Sequence, residues 1–198
     1  MSQSNLAESK KYYTVEEYLA FERESEEKHE YIDGEIIAMA GASREHNLIG
    51  TNTGTEIRFR LKGKQYETYI SDMRVRVKSN RYCYPDVVAV CGEPEFAKDD
   101  DFDILLNPTV VVEVLSPSTK FRDKTKKLED YRKIDSLREC LLIEQDKMFV
   151  EHFIKQTPSQ WLLRIYENAG DTVKLESIGC EILLSDIYLQ VEFKTVLQ

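Results

Sequence analysis

The sequence lacks the features that would place it in a membrane, in an oxidising compartment or in a zinc fold. Its longest apolar runs, such as Thr109 to Leu115, are far shorter than the roughly 20 residues that span a bilayer. Met1 to Lys10 is polar and contains no apolar stretch of the secretory-signal kind, so the expected location is cytoplasmic. Four cysteines (Cys83, Cys91, Cys140, Cys180) are scattered without a CxxC pair, which excludes a disulfide scaffold. Three of them lie in or beside β-like runs, where a reduced cysteine behaves as a small hydrophobe. Three histidines (His29, His46, His152) stand far apart and show no zinc-ligand spacing. There is no GxSxG elbow and no glycine-rich phosphate loop, so serine hydrolases and NTPases drop out. Positive charge is short too. A net charge of -9 argues against a protein that coats nucleic acid with its whole surface.

What is present suits a packed α/β protein. Hydrophobic residues make up 41% of 198, enough for a core, and the expectation is a single domain over 11–193 behind a flexible tail, 1–10. Charge is uneven. Met1 to Glu45 carries eleven acidic and five basic residues, whereas Arg58 to Arg81 carries eight basic against two acidic, and Lys120 to Lys133 seven against three. Such local basic surface is compatible with a phosphate-bearing substrate, and equally with solvated faces of helices and strands.

Thr14-Val-Glu-Glu17 has capping-box spacing and predicts a helix from Thr14 to Glu24. Asp33-Gly34 predicts the turn of a short β-hairpin running through Tyr31 and Ile36 to Met39. Ser43 is a cap for a second helix reaching Leu61, although Gly50 and Gly54 disfavour helix by about 1 kcal/mol each. Strands are expected at Tyr66–Ser71, Met73–Lys78 and Tyr84–Val90, with a turn at Ser79-Asn80 and a charged surface loop from Glu93 to Asn107. Thr109 to Leu115 reads as a strand buried on both faces. Ser116-Pro-Ser-Thr119 then caps a third helix, Lys120 to Ile134. Strands follow at Glu139–Glu144, Met148–Ile154, Trp161–Glu167 and Thr172–Ile178, with a tight turn at Asp146 and a terminal helix at Ser185–Leu189.

Glu113 is the most informative residue. An ionised carboxylate inside Val-Val-Val-Glu-Val-Leu is costly unless it is paired or coordinates a metal. Alternation puts Val111, Glu113 and Leu115 on one face of the strand. Asp86 follows Pro85 and precedes another apolar run, so neighbouring strands would aim both carboxylates into one place. Two hard oxygen donors with an open, wet side suit Mg²⁺, with Mn²⁺ as substitute. A strand-end charge or a buried ion pair is the alternative for each acid taken singly. Acids on successive strands with a nearby lysine are what metal-assisted phosphodiester cleavage requires, because the metal acidifies a bound water and a lysine orients it or stabilises charge.

Pro85-Asp86 with Glu113 resembles the PD-(D/E)XK signature of the restriction-endonuclease-like superfamily. One departure stands out: the lysine expected two residues after the glutamate is replaced by Leu115. More narrowly, the chain resembles the Uma-type restriction endonuclease family. The matching pieces, in the family's order, are Glu30-Tyr-Ile-Asp-Gly-Glu35, Gly41-Ala-Ser-Arg-Glu-His46-Asn47, Ser71-Asp-Met-Arg-Val75, Tyr84-Pro-Asp-Val-Val88 and Val112-Glu-Val-Leu-Ser-Pro-Ser-Thr119, then Asp123, Lys127-Leu128 and Tyr131. In that family the lysine sits on the following helix, which implies Lys127 here. Lys127 and Tyr131 are four apart and share a helix face. Lys124 is the second candidate, and without the resemblance Lys124, Lys126 and Lys127 read as a solvated run.

The resemblance implies a restriction-endonuclease-like α/β fold with a mixed central β-sheet flanked by helices. It also implies a Mg-dependent endonuclease acting on DNA, with metal on Asp86, Glu113 and the backbone carbonyl of Val114, and Lys127 positioning the attacking water. Glu30 and Glu35 are accessory acids on this reading, and ordinary solvated acids otherwise. His46 is either an accessory group or a surface residue near a helix start. A homodimer is expected from the habit of small nucleases of this fold, and no membrane partner. The alternative is a catalytically inert nucleic-acid-binding or interaction protein on the same fold, which the missing EXK lysine and the overall acidity favour.

Overall fold

The computed structural model of the protein describes residues 12–99, 102–116 and 123–193. The expected tail over 1–10, and any capping by Ser118 and Thr119, lie outside these residues. Thr14 caps helix α1 (Val15–Glu24) with both bonds of the capping box, Glu17 N–H to Thr14 Oγ1 at 3.2 Å and Thr14 N–H to Glu17 Oε2 at 2.7 Å. Strands β1 (His29–Ile32) and β2 (Glu35–Ala38) form the hairpin expected at Asp33-Gly34. Both turn residues have positive φ, 50° and 96°, as a two-residue type I′ turn demands. Helix α2 (Arg44–Arg60) is capped by Ser43, whose hydroxyl accepts the His46 N–H at 3.1 Å. Gly54 has a packing reason. A Cβ there would stand 2.6 Å from Ile70 Cδ1, so its absence lets the helix lie close on the sheet.

Strands β3 (Tyr66–Ile70), β4 (Arg74–Lys78), β5 (Arg81–Cys83) and β6 (Val87–Cys91) follow, then β7 (Phe96–Asp99), β8 (Phe102–Leu105) and β9 (Val110–Leu115). A π-helical turn, Asp123–Lys127, runs directly into the short helix α3 (Leu128–Tyr131). The chain continues through β10 (Glu139–Glu144), β11 (Val150–Thr157), β12 (Gln160–Tyr166), β13 (Thr172–Leu175), β14 (Cys180–Leu183) and helix α4 (Leu184–Ile187). Among the described residues the central sheet is mixed, in the order β12-β11-β10-β9-β6-β3, with β9 parallel to β10 and antiparallel to β6. A second mixed sheet, β2-β1-β5-β4-β8-β7, and the hairpin β13-β14 complete the strands.

Three expectations change. Glu93–Asn107 is not a loop throughout but holds the β7–β8 hairpin. Ile104 and Leu105 pair with Arg74 and Val75 in the second sheet, and their burial outweighs the charged composition around them. Tyr84–Val90 is not one strand. Pro85 has no N–H to give a ladder, and here the chain leaves the second sheet and enters the central one. The third helix, where described, ends at Tyr131 rather than Ile134, and β14 was not anticipated at all.

All six residues of β9 are buried. Val110, Val112 and Val114 pack toward Ile49 and Ile57 of α2 and toward the β13–β14 hairpin. Val111 and Leu115 pack on the opposite face with Val75, Cys83, Leu128 and Tyr131. Glu113 shares that second face by alternation, beneath α3 and the second sheet. No helix among the described residues is long and apolar enough to cross a membrane.

A buried acid–base pair closes the far end of the central sheet. Glu139 Oε2 lies 2.6 Å from His152 Nε2, and Glu139 Oε1 accepts the Ser177 N–H at 2.7 Å. Burial pushes the Glu139 carboxyl up, but these bonds outweigh it and hold its pKa below the ordinary 4.5. A depressed carboxyl stabilises the fold above its unfolded pKa, and that contribution is lost as pH falls through the folded value. Glu139→Gln is therefore expected to lose about 2 kcal/mol in urea unfolding at neutral pH, from the charge-assisted bonds. The gap between variant and parent should close as pH drops below 4.5. A gap independent of pH would contradict this assignment.

Candidate functional site

Asp86 stands at the crossing between the two sheets, one residue before β6, with its carbonyl accepting the Ser71 N–H at 2.9 Å. The register Val87↔Val112, continued by one residue, places Asp86 opposite Glu113. Its carboxylate bridges two elements. Oδ2 accepts the Val114 N–H at 2.7 Å, and Oδ1 lies 2.8 Å from His46 Nε2 on the first turn of α2. A strand residue directs its N–H and C=O to the same side, so the Val114 carbonyl lies on the Asp86 edge of β9.

Glu113 meets Lys127 and Tyr131. Lys127 Nζ is 2.9 Å from Glu113 Oε1 and 2.9 Å from Glu30 Oε1, and Tyr131 donates its hydroxyl to Glu113 Oε1 at 2.5 Å. The Lys127 side chain is only 10% exposed, and those of Glu30 and Glu113 1% and 5%, so these ion pairs operate in a low dielectric. The Tyr131 hydroxyl also lies 3.3 Å from Cys83 Sγ. Burial, then the neighbouring Cys83 and Glu113, push the Tyr131 phenol well above its ordinary pKa, so it remains a protonated donor. Burial likewise pushes the Cys83 thiol up to about 12, which excludes a thiolate nucleophile.

The structure gathers Glu113, Lys127, Tyr131 and Glu30 into one set of contacts and Asp86, His46 and the Val114 backbone into another, with Asp86 opposite Glu113 in register. Glu35 sits on the same face of the β1–β2 hairpin as Glu30, nearer the turn and half-buried. Lys124 goes elsewhere. Its ammonium lies 3.1 Å from Glu144 Oε1 and 2.5 Å from Glu151 Oε2, at the ends of β10 and β11. Burial pulls the Lys124 pKa down, but the two carboxylates outweigh it and raise it, as expected of an anchoring cation. The contacts of Lys124 thus lie with β10 and β11, and those of Lys127 with Glu113 and Glu30.

Sequence reasoning missed the group that ties this site together from behind. Glu22 of α1 accepts the Tyr84 hydroxyl through Oε1 at 2.8 Å and the His29 N–H at 2.9 Å, and Arg74 Nε donates to Tyr84 Oη at 2.8 Å. His29 precedes Glu30, and Tyr84 lies two residues before Asp86. One buried carboxylate therefore tethers the start of β1, which carries Glu30, and the segment between β5 and β6 that carries Asp86. Nothing in the acidic stretch Glu22 to Glu30 singles Glu22 out, because its partners lie far along the chain.

No three His, Cys, Asp or Glu side chains among the described residues converge as a closed metal site. Mg²⁺ is commonly held by one or two carboxylates, waters and substrate phosphate rather than by an all-protein cage. Asp86 and Glu113, with the Val114 carbonyl, offer such an oxygen donor set.

The family model Uma2, described as "Putative restriction endonuclease", matches residues 15–185. The uncharacterized protein sll1609 of Synechocystis sp. is 40% identical over 84% of this chain and 93% of its own. The uncharacterized protein slr1290 of the same organism is 35% identical over 90% of this chain and 92% of its own. The fold is similar to a crystal structure described as a "putative nuclease belonging to DUF820" from Anabaena variabilis, with a TM-score of 0.73 at 20% identity over 88% of this chain and 97% of that one.

Proposed function

The chain belongs to the Uma2 family, and from that premise we propose that it is a metal-dependent endonuclease hydrolysing phosphodiester bonds in DNA. The observation that carries the reading is the convergence of Lys127 on Glu113, with Asp86 opposite Glu113 on the neighbouring strand. It supplies the acid–acid–lysine set although no lysine stands two residues after Glu113. Asp86, Glu113 and the Val114 carbonyl would hold Mg²⁺, or Mn²⁺ in its place. When bound, the ion would acidify a water and neutralise charge on the scissile phosphate.

The protein's own residues do the positioning. Lys127 and Tyr131 both engage Glu113 Oε1, which fixes the carboxylate's rotation. Lys127, held between Glu113 and Glu30, is a localised positive charge that orients the attacking water and stabilises the negative charge developing on phosphate. His46 and the Val114 N–H hold Asp86 from opposite sides, so neither oxygen swings away when a phosphate approaches. His46 is thus a positioning residue. The test is cleavage of supercoiled plasmid and of linear single- and double-stranded DNA with Mg²⁺ or Mn²⁺. Cutting that EDTA abolishes is the expected result, and intact DNA with both metals would overturn the reading.

A further inference from the structure

Eight basic residues stand from Arg58 to Arg81; Arg76 is exposed on β4, and the fold sorts the other seven into two groups. Arg74 is buried against Tyr84, Arg81 is held by Asp33 and Asp130, Lys78 by Asp130 at 2.6 Å, and Arg60 by Glu56 and Asp186. Among the described residues no carboxylate holds Arg58, Lys62 or Lys64 in this way. They are exposed, and they line one open groove of about 730 Å³ between the end of α2 and the edge strand β3. Lys64 reaches the Gly179 carbonyl, at 3.4 Å. Phe59 and Tyr66 line the same groove, and Phe59 is 73% exposed, an unusual place for a phenyl ring on a helix. Glu67, an acid of the rim, is engaged by the Tyr69 hydroxyl. Three cations beside an exposed aromatic ring describe the occupant: a polyanion with flat apolar faces.

We propose that this groove binds a single-stranded stretch of the nucleic-acid substrate, with phosphates on Arg58, Lys62 and Lys64 and a base stacked on Phe59. The inference rests on the nuclease reading for the identity of the substrate, and the path of β3 supports it. Tyr66 lies opposite Cys91 and Ile70 opposite Val87, after which Ser71 bonds the Asp86 carbonyl. From Tyr66 to Ser71 the strand advances about 17 Å at ~3.4 Å per residue. A single strand lying along it would run from the groove towards Asp86. Charge disfavours this same groove of a second copy as occupant, since face-to-face contact would bring two sets of the same three cations together.

The test is binding of a labelled single strand and of a labelled duplex of equal length, by fluorescence anisotropy in EDTA. Phe59→Ala should weaken single-strand binding about tenfold and duplex binding much less. Arg58→Gln with Lys62→Gln should lower the slope of log affinity against log salt by about 1.4 for single strands, at ~0.7 per phosphate contact. These side chains are exposed, so thermal unfolding should match the parent. Unchanged single-strand affinity and slope overturn the proposal. So does altered sedimentation of the Phe59→Ala protein with DNA binding intact, which would make the groove a contact between copies. The assay needs neither metal nor cutting. Loss of binding in these variants, with a parent that never cleaves, would therefore sink the nuclease reading and keep the groove.

Discussion

Glu113→Gln is expected to lower metal-dependent cleavage by on the order of 10³-fold while leaving the protein folded. The substitution keeps the shape and leaves an oxygen that can accept the Tyr131 hydroxyl. It removes the charge that makes the carboxylate a ligand for a hard cation. It also removes one negative partner of Lys127, whose ammonium keeps its contact with Glu30. Single-turnover nicking of supercoiled DNA reads the rate, and circular dichroism confirms the fold. Cleavage within a few-fold of the parent would show that Glu113 is a structural acid and that the reacting centre lies elsewhere.

Lys127→Met should have two separable effects. Cleavage should fall by roughly 10²- to 10⁴-fold, the range for a lost general acid–base or charge-stabilising group. Stability should fall as well, because Glu30 and Glu113 are nearly inaccessible and lose the cation between them. Removing one partner of a buried pair commonly costs about 3–5 kcal/mol. For a chain of this size that corresponds to a drop in Tm of roughly 10 °C. Lys127→Met combined with Glu30→Gln should regain much of the stability and none of the activity. A double variant that regains cleavage would show that Lys127 only neutralises Glu30. A single variant as active as the parent would remove Lys127 from the chemistry.

The parts of the molecule legible in sequence are those whose cause is local. Asp33-Gly34 announces its hairpin because few other residue pairs accept two positive φ angles in succession. Glu113 stands out because a carboxylate in a run of valines needs a partner, and it has two on one oxygen. The β7–β8 hairpin was hidden by its charged setting, since what holds it is pairing of Ile104 and Leu105 with β4, some thirty positions earlier in the chain. The break at Pro85 marks a change of sheet, and a sheet is a property of distant partners rather than of the segment itself.

The choice between Lys124 and Lys127 was beyond local pattern for the same reason. Both lie in a π-helical turn, where face assignments made at 3.6 residues per turn no longer apply. Glu144 and Glu151 capture the first lysine, whereas Glu30 and Glu113 capture the second. The family resemblance pointed to Lys127 where spacing alone left both open. Glu22 escaped notice altogether, since its role is to receive Tyr84 and His29 from two strands that local periodicity does not bring together.

The most direct test of the account is calorimetric titration of Mg²⁺ and Mn²⁺ into the parent, Asp86→Asn and Glu113→Gln proteins. Uptake by the parent is expected, with a loss of at least about tenfold in affinity in each variant, since a two-carboxylate site loses half of its charged ligands in either one. Uptake by all three proteins alike, or by none, would contradict it and leave Asp86 and Glu113 as acids that serve the fold.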